Sequence, residues 1–329
     1  MLSKKIGIDL GTSRVMVYVK GEGVVVNEPA VMATDEGGRR ILAVGRAASS
    51  MAGKGKARAV RPVRNGNGVD YGAAGALLQH LIGRIVGRQR IFRPDVMLSI
   101  PPMITGVERR AVLEATMQAG AKSAYLIDKP MAAAIGARIS VATTDGVILI
   151  NFGAGSTEVA AIAHGEIVAM ESIPIGGDSL DAAISSAVEA AHGVTLAAGE
   201  AERLKIELGS ATAPRDDGQL DVQTATGGET VRVSAAEVFH ALEPRLEDFV
   251  AVLQQVLTEV PAERRSSVDR NGLMLTGGGA QLAGLPALLS EKTGLPARVA
   301  RDPQACVAVG TGMALDNLQV IRRGQHYIT

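Results

Sequence analysis

Apolar positions along the chain follow two periods, and their alternation divides it into two halves of similar plan. Lys5–Leu10 and then Arg14–Val19, with Val15, Val17 and Val19 alternating against Met16 and Tyr18, read as strand, turn and strand. Gly21-Glu22-Gly23 supplies another turn, and Val24-Val25-Val26 a third strand. Leu77, Leu78, Leu81, Ile82, Ile85 and Val86 sit at helical spacing and predict an amphipathic helix over 73–90. A strand at Val96–Ile100 stops at Pro101-Pro102. Thr105 as N-cap with Glu108 three residues on predicts a helix over 106–120. A short strand at Ala124–Ile127 precedes an Ala-rich helix opened by Pro130.

The second half repeats this order. Strand 146–151, a glycine turn, strand 158–163 and Val168–Ser172 match the opening strands. Helices follow at 178–192 and 197–208, then a polar, short-stranded stretch at 211–233. A helix over 234–258 leads to a buried strand at Leu273–Leu275 and the run Thr276-Gly277-Gly278-Gly279. This layout is an internal duplication: an α/β chain of two βββαβα halves. Facing one another, the halves would set their hairpin turns across a shared cleft.

Those turns carry the chemistry. The first is Asp9-Leu10-Gly11-Thr12-Ser13 and the second Asn151-Phe152-Gly153-Ala154-Gly155-Ser156-Thr157-Glu158. Each joins two strands, which argues against a dinucleotide fold, where the glycine motif opens a helix. The chain has no GxGxxG and no GxxxxGK[ST]. Glycines let backbone N–H groups approach a phosphate, and Thr12, Ser13, Ser156 and Thr157 add hydroxyls. Asp9 repels a bare phosphate but suits one carrying Mg²⁺. Gly277–Gly279 offers a flat path beneath a purine. Glu202 and Lys205, at i and i+3, suit a ribose and base, or form a surface ion pair of small worth.

Composition removes other classes. Thirty-four basic and 34 acidic residues cancel, so no global field attracts nucleic acid. One cysteine, Cys306, leaves no intramolecular disulfide framework, and the five histidines form no HExxH pair. Aromatic residues make up 2 %, with no Trp, so Ala, Val, Ile, Leu and Met must build the core. No apolar run reaches the roughly 18 residues of a spanning helix and no signal peptide is evident, so a cytoplasmic protein is expected. Residues 51–70 are basic, with Lys54, Lys56, Arg58, Arg61 and Arg64 ahead of Asp70, and read as a solvated loop.

The two turns occur in order with Ile127-Asp128-Lys129-Pro130-Met131-Ala132-Ala133-Ala134-Ile135-Gly136, Ile175-Gly176-Gly177-Asp178, Glu202-Arg203-Leu204-Lys205-Ile206-Glu207 and Thr276-Gly277-Gly278-Gly279. In these segments the chain resembles the actin and sugar-kinase ATPase superfamily, most closely its bacterial actins of the MreB family, over essentially its whole length. Tyr18-Val19-Lys20-Gly21, Asn27-Glu28-Pro29, Arg61-Pro62 and Val107-Glu108-Arg109-Arg110 add to the match. The resemblance implies an actin-like fold with domains at 1–140 and 141–329. It further implies subdomains near 31–75 and 180–242, and a C-terminal helix, 313–325, returning to the first domain.

By the same resemblance, Asp9, Gly11, Thr12 and Ser13 form one phosphate loop and Gly153, Ala154, Gly155, Ser156 and Thr157 the other. Gly177, Glu202, Lys205, Gly277, Gly278 and Gly279 hold ATP or ADP. Asp128 orients the attacking water, with Thr157 beside it, and Asp9 and Asn151 stand near Mg²⁺, Asn151 through water. Two positions depart from the family: Asp128 stands for a glutamate and Asn151 for an aspartate. One methylene fewer draws a carboxylate back by about 1.5 Å, and a misplacement of about 1 Å can cost about 10²-fold in rate. Asn151 removes a negative charge, and Lys129 replaces another acid. ATP binding with slow hydrolysis is therefore expected, with Asp128→Glu plus Asn151→Asp restoring turnover.

The resemblance also implies head-to-tail, paired protofilaments of this chain, with 211–233 at a contact surface, lying on the inner membrane surface with the cell-wall synthesis machinery. Ile91-Phe92, flanked by Arg84, Arg88, Arg90 and Arg93 with no acid in 84–94, is the candidate membrane loop. The alternative is that Phe92 packs under its own loop. Other readings are a non-hydrolysing paralogue that modulates other filaments, a soluble small-molecule kinase, and a chaperone ATPase; for the last, no peptide-binding domain is evident.

Overall fold

The opening alternation folds as consecutive antiparallel strands β1 (Lys5–Leu10), β2 (Arg14–Val19) and β3 (Gly23–Pro29). The computed structural model describes residues 3–38, 40–51, 57–64, 68–87, 93–216 and 218–318. They divide into two units: Met1–Thr144 with Ala163–Glu166 and Gln304–Thr329, and Asp145–Ile162 with Ile167–Pro303.

In the first unit, β4 (Met32–Thr34), β5 (Ile41–Val44), helix α1 (Arg46–Met51) and β6 (Arg58–Val60) follow, with a small sheet in the order β5-β4-β6. β7 (Val63–Arg64) pairs β8 (Gly68–Val69). Then come α2 (Tyr71–Val86), β9 (Asp95–Ile100), α3 (Gly106–Gln118), β10 (Ser123–Asp128) and α4 (Lys129–Gly136). β9 and β10 extend the opening hairpin in parallel, giving the order β10-β9-β1-β2-β3.

The second unit has β11 (Val147–Phe152), β12 (Thr157–Ala163), β13 (Glu166–Ile173), α5 (Gly177–His192), α6 (Glu200–Glu207), β14 (Gln219–Gln223), β15 (Thr230–Ser234), α7 (Ala235–Glu259), α8 (Ala262–Asn271), β16 (Leu273–Thr276), α9 (Leu285–Thr293) and β17 (Ala297–Val299). Its sheet order, β17-β16-β11-β12-β13, repeats the first: a meander of three strands flanked by two parallel ones. The duplication inferred from the sequence is thus present strand for strand. The stretch expected to be short-stranded forms the β14–β15 hairpin.

Local signals set the helix ends. The Asp70 carboxylate accepts from the Ala73 N–H at 2.9 Å and opens α2 two residues earlier than the apolar spacing suggested. Gly87, at φ +72°, closes it, so the helix expected to reach residue 90 ends at Val86. Thr105 and Glu108 form the expected capping box of α3, and Ser234 and Glu237 make another at α7. α7 runs through Pro244, because a stripe of buried Val238, Leu242, Leu246, Phe249, Val250, Leu253 and Val256 holds it to the core on both sides. α8 is mostly polar and its spacing gave no signal.

The first unit's core gathers Ile6, Ile8, Val15, Val17, Leu77, Leu81 and Leu98. In the second, the rings of Phe152 and Phe249 lie 5.4 Å apart amid Ile148, Ile150, Leu253 and Leu273. α10 (Cys306–Asp316) belongs to the first unit and packs on α4 and β1. Backbones touch there: a Cβ at Gly310 would lie 1.8 Å from the Ala132 carbonyl oxygen, and one at Gly136 1.8 Å from that of Cys306. Of the helix expected over 313–325, residues 313–316 fall in α10 and those beyond 318 lie outside the described residues.

Candidate functional site

The two glycine turns are built alike. The Gly11 N–H donates to the Arg14 carbonyl at 3.0 Å, and the Gly153 N–H to that of Ser156 at 2.9 Å. A Cβ at either glycine would stand 2.9 Å from the same carbonyl oxygen, so close approach demands the glycine. Closing each turn there fixes the pairing beneath it: Leu10 opposite Val15 and Asp9 opposite Met16 in one, Phe152 opposite Thr157 and Asn151 opposite Glu158 in the other.

In the first unit, Asp9 Oδ1 accepts from Ser99 Oγ at 2.8 Å across the β1–β9 pair. Thr12 is buried, the Arg61 guanidinium reaches the Thr12 carbonyl at 3.4 Å, and the Ser13 carbonyl accepts from the Ala30 N–H. Asp128 ends β10, two strands from β1, a spacing of about 10 Å. Its Oδ1 accepts from Arg109 Nη2 at 3.1 Å, and the same nitrogen donates to the Pro102 carbonyl at 3.3 Å. Lys129 follows and is buried.

In the second unit, the first turn of α5 docks on the second glycine turn. The Gly177 N–H donates to the Gly153 carbonyl at 3.0 Å and the Asp178 N–H to that of Ala154 at 2.8 Å. Lys205 Nζ reaches over from α6 to the Gly177 carbonyl at 3.0 Å and to Asp181 Oδ1 at 2.7 Å. Burial pushes the Asp181 carboxyl above its ordinary range. Lys205 opposes that shift, and the charges of Glu202 and Asp178 add to it. Glu202 is exposed and makes no hydrogen bond or ion pair among the described residues.

Beneath this turn, Thr157 Oγ1 donates to the Ile175 carbonyl at 2.6 Å and Ser156 Oγ to Glu158 Oε1 at 2.6 Å. Asn151 Nδ2 donates to Glu158 Oε2 at 2.7 Å, and Thr276 Oγ1 to Asn151 Oδ1 at 3.3 Å. β16 then delivers Gly277, at φ +82°, where a Cβ would meet the Phe152 carbonyl oxygen at 2.3 Å. A Cβ at Gly279 would sit 2.4 Å from the Phe152 ring. Gly278 opens the short 3-10 turn that follows.

The first unit thus brings together Asp9, Gly11, Thr12 and Ser13, with Asp128 farther along its sheet. The second brings together Asn151, Gly153, Ala154, Gly155, Ser156, Thr157, Gly177, Lys205 and Gly277–Gly279. Ile91 and Phe92, the candidate membrane loop, lie outside the described residues, as do Lys54 and Lys56. Sequence reasoning gave no role to Ser99, Arg109, Glu158 or Asp181. Glu158 had a readable signal, since a turn closed at Gly153 and Ser156 sets Asn151 against it.

The donor set fits a metal–nucleotide. Within the first unit, the Gly11 turn, the Thr12 and Ser13 hydroxyls and the Asp9 carboxylate are the donor types with which Mg²⁺ is commonly held, by one or two carboxylates plus phosphate oxygens. Among the described residues no group of three His, Cys, Asp or Glu could form an all-protein metal cage.

The family model described as "MreB/Mbl protein" matches residues 3–323. The cell shape-determining protein MreB of Escherichia coli K12 is 38 % identical, over 97 % of this chain and 95 % of that protein. Mbl of Bacillus subtilis 168, also cell shape-determining, is 35 % identical over 97 % of each. The crystal structure of Spiroplasma citri MreB5 bound to AMPPNP superposes with a TM-score of 0.88 at 29 % identity, covering 97 % of this chain and 98 % of the other. A MamK double helical filament, at 19 % identity, shares the fold with a TM-score of 0.80. Matching the family along nearly all its length, and built as two copies of one actin-like sheet plan, the chain belongs to the MreB/Mbl family.

Proposed function

We propose that this chain is a nucleotide-dependent, actin-like filament protein of cell shape and cell-wall synthesis, one that binds ATP and ADP with Mg²⁺ and cleaves ATP slowly. The observation that carries the reading is the pair of like-built glycine turns, each with a polar residue at the strand end below it. Spiroplasma citri MreB5 has been crystallised with both AMPPNP and ADP, which supports the choice of ligand.

In this reading, N–H groups and hydroxyls of Gly11, Thr12 and Ser13, and of Gly153, Ala154, Gly155 and Ser156, bind the phosphates. Asp9, held by Ser99, faces Mg²⁺, which when bound neutralises phosphate charge. Lys205, Glu202 and Gly177 hold the ribose, and Gly277–Gly279 lies against the base. Asp128 orients water. Its carboxylate is shorter than the family's glutamate and already paired with Arg109, which favours slow turnover and keeps a weakly hydrolysing, filament-modulating paralogue as a second reading.

This reading includes head-to-tail filaments on the inner membrane surface, with Ile91-Phe92 and the neighbouring arginines as membrane contact; membership of a family of cell shape-determining proteins supports the filament part of it. Among the described residues no helix is long and apolar enough to cross a membrane. Electron microscopy and sedimentation with ATP, ADP and no nucleotide test the reading. Filaments are expected with nucleotide, whereas a protein that stays in the supernatant under every condition overturns it in favour of a small-molecule kinase. Phe92→Ser should abolish pelleting with anionic liposomes.

A further inference from the structure

α4 begins where β10 ends, and its first turn holds a cation that no other described residue answers. Lys129 is the first residue of this eight-residue helix. It is 8 % exposed, yet it makes no hydrogen bond or ion pair among the described residues. A buried charge ordinarily has a partner. In a helix the Cα–Cβ bond tilts toward the N-terminus, so the Lys129 stem projects past the first turn rather than along the helix.

The helix end from which it projects is electropositive too. The first N–H groups of a helix have no internal partner; in α4 these belong to Lys129 and Met131, because Pro130 has none. Asp128 stands at the N-cap position but makes no side-chain capping bond. Its carboxylate instead accepts from Arg109 Nη2 at 3.1 Å. The first turn contains no acid. Lysine at this place sets like charge on the positive end of the helix dipole, where an anion is favoured and a cation is not. Ammonium and N–H groups together suit a phosphate.

The register of the first sheet brings this end near the first glycine turn. Asp128 lies opposite Ile100 on β9, and Ser99 of β9 opposite Asp9 on β1. α4 therefore opens at the carboxyl ends of parallel strands, where such sheets bind ligands. It lies two strands from β1, about 10 Å away.

We propose that Lys129 and the N-terminus of α4 form a phosphate site, which takes the terminal phosphoryl group of a bound nucleoside triphosphate or inorganic phosphate. Asp128, turned to Arg109, leaves the site to the cation. Lys129 then gives the chain a preference for triphosphate over diphosphate. The proposal deepens the nucleotide reading above and rests on it only for the triphosphate as the source of the phosphate.

The test compares the full chain with Lys129→Met, which keeps the stem and removes the charge. AMPPNP and ADP compete against fluorescent ADP in excess Mg²⁺, and melting is followed with and without inorganic phosphate. AMPPNP should bind Lys129→Met at least about tenfold more weakly than the parent, the scale of one lost bond to a charged group, while ADP binds both alike. Inorganic phosphate separates the sources. A rise in the parent's melting temperature that Lys129→Met lacks shows that the free ion also binds. No rise, with the AMPPNP preference lost in Lys129→Met, confines the site to the nucleotide's own phosphate. The same AMPPNP-to-ADP ratio in parent and variant, together with the same response to phosphate, overturns the proposal. Lys129→Gln replaces Lys129→Met if the latter does not fold, and failure of both to fold would make the lysine structural and overturn it too. A parent that binds neither nucleotide refutes the functional reading instead. A phosphate response lost in Lys129→Met would then still uphold the site, and its absence in the parent would overturn the site as well.

Discussion

The Arg109 guanidinium lies 3.1 Å from the Asp128 carboxylate, both side chains less than one-fifth exposed, at 17 % and 11 %. A water-orienting acid must present a free oxygen lone pair toward the reacting centre. In the proposed water-orienting role Asp128 is one methylene shorter than a glutamate, and it already accepts a charge-assisted bond from α3. Asp128→Glu is therefore expected to raise the single-turnover rate of phosphate release at least about tenfold, since about 1 Å of misplacement can cost about 10²-fold. Nucleotide affinity should stay close to the parent's. An unchanged rate with nucleotide bound would remove Asp128 from this role. Arg109→Met removes this charged partner of the Asp128 carboxylate and should lower the unfolding free energy by about 1 kcal/mol or more in urea melts.

That relationship marks where the sequence stops being readable. The strand–turn–strand openings of both halves, the capping box at Thr105 and Glu108, and the Ala-rich helix after Pro130 are local signals, and they stand in the fold as read. Arg109 meets Asp128 only because α3 packs beside β10, and Ser99 meets Asp9 only because β9 crosses over to pair β1. No local period encodes either. Asp181 lies one helical turn beyond Asp178 and looks like a surface acid until α6 brings Lys205 against it. The mostly polar α8 has no apolar stripe to announce it, yet Val268 and Ser267 seat it beside β11.

Close packing at α10 separates glycines that fit from glycines that are merely present. Gly310→Ala drives a Cβ to 1.8 Å from the Ala132 carbonyl oxygen, backbone against backbone, where no rotamer relieves it. It should destabilise the first unit by more than about 3 kcal/mol, the upper range for overpacking. Gly83, inside α2, meets nothing within 4 Å. Gly83→Ala should stabilise by about 0.5–1 kcal/mol through helix propensity. Chemical denaturation of the two variants decides the point; equal effects would contradict the packing at α10.

Asp181 gives a pH dependence of defined sign. Burial raises its folded pKa above the ordinary 3.8, so the folded state holds the proton more tightly than the unfolded chain. Stability from this group is present at low pH and is lost as pH rises from 3.8 through the folded value. Asp181→Asn should therefore gain melting temperature relative to the parent as pH is raised from about 4 to 7. The substitution also releases Lys205 from its 2.7 Å ion pair, so ADP should bind the variant at least as tightly as the parent. A melting difference that narrows with rising pH reverses the sign and rejects the argument.

Gly279 has two separable reasons to be glycine. Its missing Cβ makes room for the Phe152 ring, 2.4 Å from where that carbon would stand, and in the proposed complex it leaves a flat surface for the base. Gly279→Ala alone should destabilise the second unit, because Phe152 is wedged against Phe249 and cannot retreat. Phe152→Leu removes the ring edge at a cost of about 1 kcal/mol or more for lost packing. The double variant Gly279→Ala/Phe152→Leu should then be no less stable than Phe152→Leu alone. If the base lies along this segment, the double variant still binds ADP several-fold more weakly than Phe152→Leu, because the new methyl stands in the ligand's place. Equal ADP affinity of the two would assign Gly279 to packing alone and move the base-binding surface away from Gly277–Gly279.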